Sequence, residues 1–379
     1  MSAPQVQSRF TEPFAQALRV GFLCPHNPFD RTAFSGTPCH AARALGNADG
    51  IALRIIGGHR PRAWHDRLTR RFRAAKFAPQ PSEFEDLDII VGLVATGPLL
   101  EVGAMTQVPL VHVTDATPAF LREFYGRDVP READLAEALA LSAVQFAVYS
   151  SDYMAERAVA EFGAGLRKKI VAIPFGPNCD LPTTLPPKPP LSPLRLLWVG
   201  SRWERKGGAI ALAAFDLLRA EGLDVELTLV GDVPGDVARR PGLHITGYLD
   251  KNRPAEAARL DALNAAAHLL VLPTRADCTP MVIAEAGAHG TPVLATDTGG
   301  IGSLVAEGVN GRMLPMDAGP AEWARAVRGM TEERDAHAAM SEASFAHVRA
   351  RLTWDAWAHG VAMLLRAEVG AARLRSAAA

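Results

Sequence analysis

The chain is 379 residues long, 48% hydrophobic and 21% charged, with a formal net charge of -1. That length exceeds one ordinary domain and fits two, each with its own core, and the composition excludes disorder as the default state. Near-neutrality also excludes nucleic acid as the main partner, because phosphate binding leaves an overall basic balance.

Four cysteines, Cys24, Cys39, Cys179 and Cys278, show no CxxC and no paired spacing. This fits reduced thiols better than a disulfide frame or a zinc site. With no charged-then-apolar leader and no apolar run of bilayer length, a cytoplasmic protein is expected, at most peripheral on the inner membrane face.

Along the chain, short strand-like runs alternate with helix-like ones. The first half offers strands at "RVGFLC", "ALRIIG", "DIIVGL", "PLVHVT", "FAVYS" and "IVAIPF", with helical patterns such as "TPCHAARALG" and "READLAEALALSAV" between them. The second half repeats the alternation from "LRLLWVG" through "DVELTLVG", "LHITGYL", "HLLVLP" and "PVLAT". Such alternation predicts parallel sheets covered on both faces.

Eight prolines fall between Pro174 and Pro193. They remove ladder donors and stiffen the backbone, which predicts a semi-rigid linker. The expected organisation is residues 1–180 as a first Rossmann-like domain, 181–193 as linker, and 194–350 as a second Rossmann-like domain. Residues 351–379 form a C-terminal helix returning to the first. The fold class is α/β, two doubly wound domains facing across a cleft, where ligands bind beyond the carboxyl ends of the strands.

Between Arg60 and Lys76, "RPRAWHDRLTRRFRAAK" carries seven basic residues, with Trp64, Leu68 and Phe72 recurring on one helical stripe. A basic amphipathic helix of this kind can lie on anionic lipid, although packing of the stripe on its own domain is the favoured reading.

The densest chemistry lies in "RADCTPMVIAEAGAHGTPVLATDTGG", Arg275 to Gly300. Asp277 falls in the loop after a strand, Pro280 at a helix start, Glu285 about two turns on, and Gly290 just past the helix end. After the next strand, Gly299 and Gly300 open another helix. Backbone N–H groups exposed there at the positive end of a helix dipole make a phosphate seat.

The order acid, seven residues, acid, Pro-Val, strand, glycine pair, helix resembles the E-x7-E region of retaining glycosyltransferases of the GT4 class with the GT-B fold. Asp277 occupies the first acidic position. "LLWVGSRWERKGG", "VNGRMLP" and "LTWDAWA" in the second half resemble further family segments, as do "DRTAFSGTPCHAARAL" and "AVYSSDYMAERA" in the first. The resemblance therefore covers nearly the whole chain.

This resemblance implies a nucleotide-diphosphate sugar as donor substrate, with no cofactor, held mostly by the second domain. It also implies transfer with retained anomeric configuration to a glycan, lipid-linked or small-molecule acceptor. Lys206 and an arginine, Arg202 or Arg205, would meet the diphosphate, where a leaving group develops charge. Glu285 would accept from the ribose hydroxyls, and Asp277 would meet the transferred sugar together with backbone N–H groups at Thr279 and Met281. Gly200, Gly299, Gly300 and Ile301 would line the donor site from the second domain, and Gly36 would approach the diphosphate from the first. His112 and Asp115, ending the strand "PLVHVT", are further catalytic candidates near the reacting sugar.

No carboxylate is placed as a nucleophile, which implies front-face attack. No DxD pair or His/Asp cluster argues for a metal, so independence of divalent ions is expected. The chain departs from the family pattern at Ser201, at Pro280 and at Ser303. Those departures keep a second reading open, a non-catalytic sugar-nucleotide-binding partner of another glycosyltransferase. A sugar-nucleotide epimerase fits the two acids less well.

Overall fold

A computed structural model describes residues 17–57 and 79–377. The basic stretch from Arg60 to Lys76 lies outside the described residues. Six parallel strands form the first sheet: β1 (Leu18–Leu23), β2 (Ile51–Ile56), β3 (Ile89–Leu93), β4 (Leu110–Thr114), β5 (Phe146–Tyr149) and β6 (Ile170–Ala172). Their order across the sheet is β2-β1-β3-β4-β5-β6.

The second sheet is also parallel and six-stranded: β7 (Leu194–Gly200), β8 (Val225–Gly231), β9 (Leu243–Gly247), β10 (Leu269–Leu272), β11 (Val293–Thr296) and β12 (Gly311–Leu314). Its order is β12-β11-β10-β7-β8-β9. Central strands such as β3 and β10 are apolar and buried at every position, as a sheet with helices on both faces requires.

Strand order reverses between β1 and β3 in the first sheet and between β7 and β10 in the second. At such a switch point the connections leave on opposite faces and open a crevice beyond the strand ends. The loops after β1, β7 and β10 carry the residues around Gly36, Lys206 and Asp277, so topology alone brings these segments to one place.

The chain passes between the two halves twice. The first crossing runs from β6 to β7, and Lys188 in it donates to the carbonyls of Asn264, Ala265 and Ala267 and to Thr291 Oγ1 at 2.5–3.3 Å, closing the end of helix Pro254–Ala266. The second lies between helix Arg334–Arg351 and helix Trp354–Ala377. That last helix buries Trp357, Val361 and Leu365 in the same core as β1 and helix Thr37–Asn47. The crossings touch: a Cβ on Gly176 would lie 2.2 Å from the Trp354 backbone nitrogen, and Trp354 Nε1 donates to Asn178 Oδ1 at 3.2 Å. Asn178 Nδ2 donates onward to Ser35 O and Thr37 Oγ1, both at 3.0 Å. Among the described residues no helix is long and apolar enough to cross a membrane.

Candidate active site

Between the two sheets lies a cavity of about 380 Å³, lined from the first half by Arg31, Ser35, Asp115 and Tyr125, and from the second by Gly200, Arg205, Lys206, Asp277 and Glu285, among others. Asp277 follows β10, where the chain leaves the sheet, and is almost fully buried. Lys206 Nζ donates to Asp277 Oδ2 at 2.8 Å, Thr274 Oγ1 donates to the same oxygen at 2.9 Å, and Arg205 Nη1 lies 3.4 Å from Oδ1. Burial alone would raise the Asp277 carboxyl, but the Lys206 and Arg205 cations and these hydrogen bonds outweigh it and hold it below its ordinary value.

Arg205 is held in place by more than charge. Its Nη1 donates to Ala276 O at 2.6 Å, and its guanidinium lies over the Tyr125 ring at 4.1 Å. Tyr125 in turn donates to Asp277 Oδ1 at 3.2 Å and accepts from the Cys278 N–H at 3.1 Å. Of the two arginines left open by the sequence, Arg205 lines the cavity, whereas Arg202 is exposed and does not.

Glu285 sits on helix Met281–Ala288, buried, with Lys251 Nζ 2.6 Å from its Oε1. Lys251 also donates to Asn178 O at 3.2 Å, so this ammonium bridges the first crossing and the helix. Thr279 and Met281 line the same wall, and Thr279 Oγ1 is hydrogen-bonded to Ser150 Oγ across the cleft. Pro280 caps the helix from extended backbone instead of sitting in its first turn.

The other sequence candidates occupy different surroundings. Gly299 and Gly300 open a short 3-10 turn, Gly299–Ser303, and are not among the cavity-lining residues. The Gly300 N–H donates to Asp277 O at 3.0 Å, and a Cβ on Gly300 would stand 1.7 Å from Cys278 O. The glycine pair thus packs beneath the Asp277 loop, and the Gly300 amide is spent on that loop and not left open to a phosphate. Ile301 is fully buried in the second core.

Gly36, in left-handed conformation at φ 97°, lies behind Phe34 and Ser35, which do line the cavity. His112 is buried in β4 with Nε2 3.1 Å from Glu137 Oε1, facing helix Glu132–Ala143 and not the cleft. Asp115, one residue past the strand end, does reach the cavity, and burial raises its carboxyl to about 6. Ser303 Oγ accepts from the Asp152 N–H at 3.2 Å and so joins the two halves.

Residues missed from the sequence are Lys251, Tyr125, Arg31 and Asn252. Lys251 and Asn252 follow β9, and the strand-end rule could have found them. Asn252 receives the Arg31 N–H at 2.9 Å and donates to Asp30 Oδ1 at 2.8 Å, a second contact across the cleft.

A sequence profile described as "Glycosyl transferases group 1" matches residues 193–333, the span carrying Lys206, Asp277 and Glu285. The second half of the chain thus matches the group 1 glycosyltransferases. The chain is 26% identical over 293 residues to D-inositol 3-phosphate glycosyltransferase of Paenarthrobacter aurescens (strain TC1), covering 70% of this chain and 71% of that one. To the enzyme of the same name from Nocardia farcinica (strain IFM 10152) it is 32% identical over 158 residues, 39% of this chain and 35% of that one.

Among solved structures, sucrose-phosphate synthase from Thermosynechococcus elongatus superposes with a TM-score of 0.67 at 17% identity, covering 94% of this chain and 100% of that one. HepE of Anabaena in complex with UDP and glucose gives 0.64 at 16% identity, covering 92% of this chain and 100% of that one. These likenesses establish the GT-B arrangement of the chain's two sheets.

Proposed function

We propose that this glycosyltransferase takes its sugar from a UDP-sugar and passes it, with the anomeric configuration retained, to a compact anionic acceptor. The observation that carries the reading is that one cavity is lined by the Lys206–Arg205 cation pair, Asp277 and Glu285, side chains suited to a diphosphate, a sugar and a ribose respectively. Glu285 accepts hydrogen bonds from the ribose diol once Lys251 makes room. Lys206 and Arg205 take up the charge that develops on the leaving diphosphate, in a site already ordered for it.

Asp277 is tied to both cations and therefore acts on sugar hydroxyls and on the cations' positions, not as a base. The C1–O bond to the diphosphate breaks, the acceptor oxygen joins C1 on the same face, and the acceptor proton passes to the departing diphosphate oxygen.

Uridine as the base is supported by HepE, whose structures hold UDP and UDP-glucose on the same fold. An anionic acceptor is supported by Arg31 and Arg127 on the first-half wall and by relatives named for a phosphorylated inositol. Thermal stabilisation across UDP-, GDP-, ADP- and dTDP-sugars, with Glu285→Ala as control, tests the donor. A ligand at a hundred times its Kd adds about 2.7 kcal/mol. A shift with UDP-sugars that disappears in the variant is expected. A shift with another base overturns the uridine assignment, and no shift with any donor overturns the donor site itself.

A further inference from the structure

We propose that Cys179, Asp261 and His289 form a binding site for a thiophilic divalent transition-metal ion of the zinc class, set behind the donor pocket. The thiol sulfur, a carboxylate oxygen and a ring nitrogen of these three residues all lie within 4.8 Å of one another. They come from three elements: Cys179 from the first crossing, Asp261 from helix Pro254–Ala266, and His289 from the end of helix Met281–Ala288.

The second observation is the tautomer of His289. Its Nδ1 is 2.9 Å from Glu285 O, an acceptor only, so Nδ1 is the donor, and in the neutral ring that a metal would bind the Nε2 lone pair faces Asp261 Oδ1 at 3.9 Å. That separation is too long for a hydrogen bond and would need to shorten only slightly for both atoms to hold one ion. Nitrogen and oxygen ligands about 2.0–2.2 Å from zinc stand roughly 3.3–3.6 Å apart in a tetrahedron. A backbone carbonyl orienting the non-ligating ring nitrogen is the usual support of a metal-bound histidine.

An entry path exists. The Asp261 side chain is 34% exposed and, with Asp180 and Cys39, lines a second cavity of about 530 Å³. The donor set of thiolate, imidazole and carboxylate favours zinc-like ions over magnesium or calcium. An ion here would tie the first crossing to the helix that carries Glu285, through His289 and the Glu285 carbonyl.

The test uses the full chain, stripped with a chelator under reducing conditions and titrated with Co2+ as a spectroscopic stand-in for Zn2+. One cobalt per chain with a thiolate-to-metal charge-transfer band, displaced by Zn2+, is the expected result. Cys179→Ser abolishes the band, and Asp261→Asn, at a partly exposed position that leaves the core packed, weakens binding by at least about tenfold. Cys39→Ser, in the same cavity, leaves the band intact. Absence of the band in the wild-type chain, its survival in Cys179→Ser, or its loss in Cys39→Ser would overturn the proposal.

Discussion

Lys251 and Glu285 are locked together across 2.6 Å, and both are largely buried at the back of the cavity. The carboxylate assigned to the ribose therefore has a cationic partner that holds it in place on the cavity wall.

Removing the charge of Glu285 has a defined outcome. Glu285→Gln keeps the shape but loses charged hydrogen bonds worth about 1.5–3 kcal/mol, so the Kd for the donor rises roughly ten- to a hundredfold. Isothermal titration with UDP checks this, and unchanged affinity would remove Glu285 from the ribose site.

Lys206→Ala and Arg205→Ala strip cations from the leaving group. Turnover of the donor is expected to fall about a hundred- to a thousandfold in each, the scale seen when one oriented charge stabiliser is lost. Arg202→Ala, at an exposed position outside the cavity, is expected to match the wild type. A large drop for Arg202→Ala with none for Arg205→Ala would reverse the assignment.

Gly300→Ala forces a methyl into the carbonyl of Cys278, whereas Gly302→Ala enters open space. The first should destabilise by about 1–3 kcal/mol through overpacking and displace the Asp277 loop; the second should leave melting unchanged. Denaturant curves for the pair decide whether the glycine floor matters.

The His40 ring is buried beside Trp354, and burial, reinforced by the Arg43, Arg31 and Lys251 cations, lowers its pKa from 6.5 to about 3. Between those values the unfolded chain holds a proton that the folded chain does not. Stability contributed here is full above pH 6.5 and is lost as pH falls toward 3. Melting temperature against pH should therefore slope less steeply over that window in His40→Gln, and parallel slopes would refute the account.

Much of the fold was legible because alternating apolar runs and glycine-proline punctuation define strands and helices locally. That Asp277, Lys206 and Glu285 would face the cleft was legible for the same reason, since each follows a strand or lies on the helix after one. His112 misled because a side chain within a strand points at the covering helices, here at Glu137, while only residues past the strand end, such as Asp115, reach the cleft. Gly300 misled because whether its amide remains open depends on a tertiary contact, its bond to Asp277 O. Tyr125 gave no local signal, since its place beside Asp277 depends on how the two halves meet.

The paired crossings also bear on what a protease would leave behind. A single nick in the proline-rich stretch does not release either half, because helix Trp354–Ala377 stays rooted beside β1 while its own chain continues from the second sheet. A nicked molecule should thus elute and melt as one particle, and only a second cut, near Leu352, would set the halves free.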